Sequence, residues 1–201
     1  MMEINRRTLI AGAAGLLIAR PVAAQRARSS GNLIAAARKQ IGVTLTYDPA
    51  YSRLAFPSGD VPRNKGVCTD VVIRAYRDAF DVDLQALVNA DMKHNFAAYP
   101  KRWGLRTTDR NIDHRRVPNL ETFFARAGAK LRAPTSADQW QAGDLFTCLV
   151  NRSLPHIGIL SDKRTASGRP LVIHNIGGGT REEDILMAYP MTGRFRWLIN
   201  G

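Results

Sequence analysis

A chain of 201 residues with 45% hydrophobic and 23% charged residues can bury one ordinary globular core, and it lacks the tracts of a repeat or low-complexity protein. A formal net charge of +12 suits an anionic polymer or peptide carboxylates outside the cytoplasm, and nucleic acid only inside it. The eleven or so residues from Leu9 to Ala19 are too few to span a bilayer.

The N-terminus reads as an export signal. Arg6-Arg7 precede that mildly apolar stretch, Arg20-Pro21 follow it, and Val22-Ala23-Ala24 supply small residues for cleavage, so residues 1–24 form a cleavable, twin-arginine-like leader. Removing it takes Glu3, Arg6, Arg7 and Arg20 and leaves a formal charge of +10 on residues 25–201, expected to be one exported, periplasmic domain. In that setting nucleic acid is not the expected partner, and no stable membrane span is expected.

Ser30 is placed to cap a helix over 30–41, with Gly42 as its left-handed stop. A short strand over 44–47 leads into a long loop, 48–66, rich in Pro and Gly. From Cys68, the positions Val71, Val72, Ala75 and Ala79 recur at helical spacing, with Arg74, Arg77 and Asp78 on the other side. Further helices are predicted over 83–92 and 119–127, with irregular chain between them. The last third changes period: 144–150, 155–160, 171–176 and 195–199 read as strands of an antiparallel sheet. Helices first and strands after make an α+β fold.

Cys68 stands at the helix start, where the helix dipole is expected to lower a thiol pKa and sharpen the sulfur as a nucleophile. Two histidines interrupt apolar strands: His156 in Pro155-His156-Ile157-Gly158-Ile159 and His174 in Val172-Ile173-His174-Asn175. A hairpin symmetric about Thr165 sets them directly opposite, whereas a slip of one residue presents Asn175 instead. A thiol needs a base that takes its proton and returns it to the leaving amine, and imidazole titrates in the right range. Cys68 with His156 as base, His174 as orienter and first-turn N–H groups as oxyanion donors would perform amide hydrolysis. Each of these residues taken alone is more often structural. Zinc on one Cys and two His is a further alternative, without the paired ligand spacing such sites use. A disulfide between Cys68 and Cys148, the two cysteines of the chain, is disfavoured because Cys148 falls in a buried strand.

The order Gly66-x-Cys68, Gly143-Asp144-Leu145, Pro155-His156-Ile157-Gly158-Ile159 and Val172-Ile173-His174 resembles the NlpC-type cell-wall peptidases of the papain-like superfamily. The resemblance implies a papain-like fold, with N-terminal helices packed on a C-terminal antiparallel sheet. It implies Cys68 as nucleophile, His156 as base and His174 as orienter, acting without cofactor or metal on peptidoglycan stem peptides. More closely, Gly66-Val67-Cys68-Thr69-Asp70, the stretch 111–119 and His174-Asn175-Ile176-Gly177 look like an exported bacterial family known as a domain of unknown function. That likeness covers nearly all of 47–197.

Two departures from the peptidase pattern bear on substrate. Val67-Cys68-Thr69 stands where that group has Asp-Cys-Ser, and 88 residues separate Cys68 from His156. The extra length, about 81–134, is expected to shape the cleft, with Arg115 and Arg116 offered to substrate carboxylates. Tyr47, Asp70 and Asn175 complete the expected surroundings, Asp70 by complementing the helix dipole. The expected protein is a monomeric hydrolase. A lipid-directed acyltransferase or esterase using the same pair, or a non-catalytic envelope-binding module, are the alternatives.

Overall fold

The computed structural model describes residues 29–198. The expected leader, residues 1–24, and Ile199 lie outside the described residues. Helix α1 (Ser30–Arg38) is capped one residue earlier than expected, by Ser29 rather than Ser30: Ser29 Oγ accepts from the Asn32 N–H at 3.3 Å. It also ends before residue 41, and the chain leaves through Gly42 at φ +78°. Strands β1 (Thr46–Tyr47) and β2 (Lys65–Gly66) pair in parallel, which returns the long loop to its own start just ahead of the cysteine. Helix α2 (Cys68–Phe80) follows, stopped by Asp81 in the left-handed region. Helices α3 (Leu84–His94) and α4 (Val117–Arg126) are joined by irregular chain.

Strands β3 (Lys130–Leu131), β4 (Leu145–Val150), β5 (Leu154–Arg164), β6 (Pro170–Asn175), β7 (Thr180–Glu183) and β8 (Met191–Phe195) form one antiparallel sheet in the order β3-β8-β4-β5-β6-β7. The molecule is therefore α+β, with helices laid on a six-stranded sheet. One sheet face, carrying Leu145, Ile157, Ile159, Ile173 and Phe195, packs on α1, α2 and α4. The other carries Phe146, Cys148, Leu160 and Val172 and is covered by Trp140, Ile185 and Leu186. Strands buried on both faces lose strict alternation, which is why 144–150 and 171–176 read as continuous apolar runs.

Two expectations are corrected here. His156 is not directly opposite His174: Ile159 pairs with Ile173 and Leu160 with Val172, a register two residues away from the symmetric one. The difference is absorbed by an irregularity between Leu160 and Arg164, so the turn is not centred on Thr165. An even shift leaves every side chain on its expected face. It also sets Gly158 against His174, where a Cβ would come within 3.1 Å of the histidine Cβ.

The second correction concerns Arg74, expected on the solvent side of α2 but 0% exposed. The 48–66 loop covers that side of the helix. The Arg74 guanidinium donates to both Asp60 carboxylate oxygens, to Thr44 Oγ1 and to the carbonyls of Val61 and Lys65. These are the backbone acceptors a buried loop would otherwise leave unpaired. Arg74→Ala is expected to lower the unfolding free energy by about 3 to 5 kcal/mol, the usual effect of stranding a buried ionic partner. Urea denaturation measures it, and a loss below about 1 kcal/mol would mean that the loop is held by other contacts.

Candidate functional site

The Cys68 turn is built by its neighbours. Gly66 is required because a Cβ there would sit 2.9 Å from Asp70 Oδ2 and 3.2 Å from Arg74 Nη1. Asp70, in the first turn of α2, accepts from the Val67 N–H at 2.7 Å and so closes the helix N-terminus on itself. Its two oxygens also take both ends of the Arg115 fork, Nε and Nη2, each at 2.9 Å. Arg115 is thus turned inward onto Asp70, and its side chain is buried with it. Nη2 also donates to the Asp48 carbonyl and Nη1 to that of Ala50, just after Tyr47. Asn175 Nδ2 donates to the Gly66 carbonyl at 3.0 Å, fixing the same turn from the sheet side.

Cys68 is 3% exposed yet forms part of the wall of a cavity of about 190 Å³, with Tyr47, Trp103, Arg116, Pro118 and Pro155. Arg116 lies over the Trp103 ring at 4.1 Å and donates to Asp113 Oδ1 at 3.2 Å. The Tyr47 hydroxyl and the Ile157 N–H are close enough to the Cys68 sulfur to act on its ionisation. The described β5–β6 ladder begins at Ile159 and Ile173, short of Ile157. The Gly66–Cys68 turn therefore sits where the two strands part.

The structure does not bring the expected base to the thiol: on the sheet face turned away from α2, His156 Nε2 lies 3.0 Å from His174 Nδ1, with the rings nearly perpendicular at 85°. The pair stands on the sheet face of Cys148, the direct cross-strand partner of His156. His174 Nε2 lies 3.1 Å from Glu183 Oε1. Glu183 was not singled out from the sequence because β7 reads Thr-Arg-Glu-Glu, with no apolar alternation to announce an edge strand. Its only sequence signal is a polar run directly after the glycine turn 177–179. Cys68 and Cys148 are both free thiols.

Burial dominates the electrostatics. It raises the Cys68 thiol to about 11, outweighing the N–H groups of Ile157, Thr69 and Cys68 itself, which favour the thiolate. The lowered pKa expected from the helix N-terminus is therefore not found, because desolvation of the charged form costs more than the helix end returns. Burial and then the neighbouring His174 push His156 down to about 3. His174 is lowered too, by burial, against the opposing pull of Glu183. The thiol and both imidazoles rest neutral, and no hydrogen bond joins Cys68 to either histidine among the described residues.

An α+β domain with a buried cysteine at a helix start and a histidine pair on its sheet has a counterpart among known sequences. The chain belongs to the family described as a domain of unknown function (DUF1287), whose model matches residues 34–197. It is similar to the protein of Escherichia coli (strain K12) called "Uncharacterized protein YijF", with 52% identity over 163 residues, 81% of this chain and 79% of that one.

Two measurements test these electrostatics. The alkylation rate of Cys68, followed by peptide mapping, is expected to keep rising through alkaline pH; saturation near neutrality would show a resting thiolate. Buried His114, lowered to about 4 by desolvation, adds to the effect of His156 on stability. The unfolded chain takes up protons near 6.5 while the fold resists them, so the folded state binds fewer protons below that pH. Stability is complete above about 6.5 and declines as pH falls toward 4. The Tm should follow that decline and His114→Gln should flatten it; a Tm that is level from pH 6.5 to 4.5 would contradict the neutral buried histidines.

Proposed function

We propose that the protein is an exported cysteine hydrolase that cleaves an amide bond through a thioester on Cys68, with peptidoglycan stem peptides as substrate. One observation carries this reading: Cys68 opens α2 in the wall of a cavity that also holds Pro155, the residue before His156, whose Nε2 is engaged by His174.

In the proposed reaction the His156 ring, which starts on the sheet face opposite α2, must swing to the sulfur, and it takes the thiol proton as Sγ attacks the carbonyl carbon. Because both groups rest neutral, this transfer accompanies attack rather than preceding it. The carbonyl oxygen becomes an oxyanion, stabilised by N–H groups of the first turn of α2 and by the Tyr47 hydroxyl. Collapse of the intermediate breaks the C–N bond, and the proton on His156 leaves with the amine. Water then attacks the thioester with His156 again as base, releasing the carboxylic acid and restoring the Cys68 thiol. A papain-like arrangement of the NlpC type accounts for the order of these residues along helix and sheet, and the twin-arginine-like leader and formal charge of +12 suit an anionic envelope polymer.

The cavity favours a second reading. Its wall is largely apolar, with Pro49, Val67, Val117, Pro118 and Pro155, and Arg115 is spent on Asp70. Such a wall suits an acyl chain, and the same residues would then transfer or hydrolyse a lipid ester. Incubation with isolated sacculi separates the two. Wild type is expected to release muropeptides absent from Cys68→Ala digests, whereas equal profiles, with turnover of a short acyl ester by wild type alone, would replace the first reading with the second.

A further inference from the structure

Arg116 is a cation whose position the fold itself does not explain. It is the N-cap of α4, at the positive end of that helix, where the dipole disfavours a positive charge. Its side chain is only 16% exposed, and burial holds its pKa below the usual arginine range against the pull of Asp113 and Asp109. The one hydrogen bond of its guanidinium runs from Nη1 to Asp113 Oδ1; Nε and Nη2 donate to nothing among the described residues. Asp113 is itself shared, since its Oδ2 accepts from the Asp109 N–H. The buried guanidinium groups of Arg74 and Arg115 differ: each grips a carboxylate through both Nε and Nη2.

Arg116 stands in the wall of the cavity of about 190 Å³ that reaches Cys68, and no aspartate or glutamate lines that cavity. Arg115 shares the wall but is committed to Asp70, so the donors left for a ligand are those of Arg116. Trp103 lies against the guanidinium at 4.1 Å, which fixes its plane and leaves its edge open. Trp103 is 37% exposed, so the group is reached from solvent. Ile112, Val117 and Pro118 make the wall around it apolar.

We infer that Arg116 is a specificity-determining residue: backed by Trp103, it binds the free carboxylate of a peptide through Nε and Nη2, with the residue that bears this carboxylate held in the apolar part of the Cys68 cavity. A planar fork with two unused nitrogens matches the two oxygens of a carboxylate, and the apolar wall suits a small uncharged body beside it. An uncharged hydrocarbon in the same place would shield Arg116 from water and supply no counter-charge. Binding stands without any chemistry at Cys68; the choice of the peptide that is cleaved rests on the hydrolase reading. On that reading the scissile bond lies close to a free carboxylate.

The probes are N-acetyl-alanyl-alanine, its C-terminal amide, octanoate and inorganic phosphate, each titrated into the full chain and followed by the Trp103 indole N–H resonance. The peptide acid should bind about tenfold or more tightly than its amide, as a charge-assisted pair provides, and more tightly than octanoate or phosphate. Arg116→Gln should bring the acid down to the affinity of the amide. That substitution takes a partner from buried Asp113, so Arg116→Lys, which keeps the cation and loses the planar fork, is measured beside it and should lose about threefold or more of the acid preference. Equal binding of acid and amide by wild type, an unchanged preference in either folded variant, or tighter binding of octanoate or phosphate than of the peptide acid would overturn the proposal. An Arg116-dependent preference in a protein that releases no muropeptides from sacculi would sustain the site and sink the hydrolase reading instead.

Discussion

The ion pair between Asp70 and Arg115 holds the site in one piece. It joins the first turn of α2, which carries Cys68, to the chain just ahead of α4 and to the loop after Tyr47. The Thr69 hydroxyl adds a bond to the Arg115 carbonyl at 3.0 Å, so side chain and backbone of the same residue are gripped. With both partners buried, removing either leaves an uncompensated charge in the interior, at a cost of several kcal/mol. The region from residue 81 to 134 is thereby committed to the cysteine. It does not lie over the cavity as a separate cover; it supplies the clamp under Cys68 and, through Trp103 and Arg116, one wall of the cavity.

That clamp explains the electrostatic character of the site. A thiol held in a closed turn and a histidine pair held between strands are both starved of water, and each rests in its uncharged form. The N–H groups of Ile157, Thr69 and Cys68 favour the thiolate without overcoming its burial. A buried, neutral thiol of this kind resists oxidation, since oxidation follows thiolate character and exposure.

Much of this was legible in the sequence, and the misses have physical causes. Helical spacing after Cys68 and the apolar strands around His156 and His174 announce the main elements, because their periodicity is imposed by burial. Glycine and the short side chain of Asp70 mark the turn. Arg74 reads as a surface residue since no local pattern reveals that a loop from 48 to 66 will fold over it. The register of β5 and β6 depends on an irregularity after Leu160, which sequence symmetry cannot show. The edge strand β7 lacks apolar alternation, so Glu183 stays hidden until the sheet is assembled. Arg115 looks like one of several free cations in a basic stretch; only the fold shows that its partner stands 45 residues earlier.

The central claim is that Cys68 forms a covalent thioester with the acyl half of a cleaved amide. Acid-quenched mixtures of the protein with purified stem peptides, analysed by intact mass and then by peptide mapping, test it most directly. The account predicts an adduct of the acyl fragment on Cys68, released by hydroxylamine and absent from Cys68→Ala. Turnover of the peptide with no adduct at any quench time, or with the same adduct on Cys148, would contradict it.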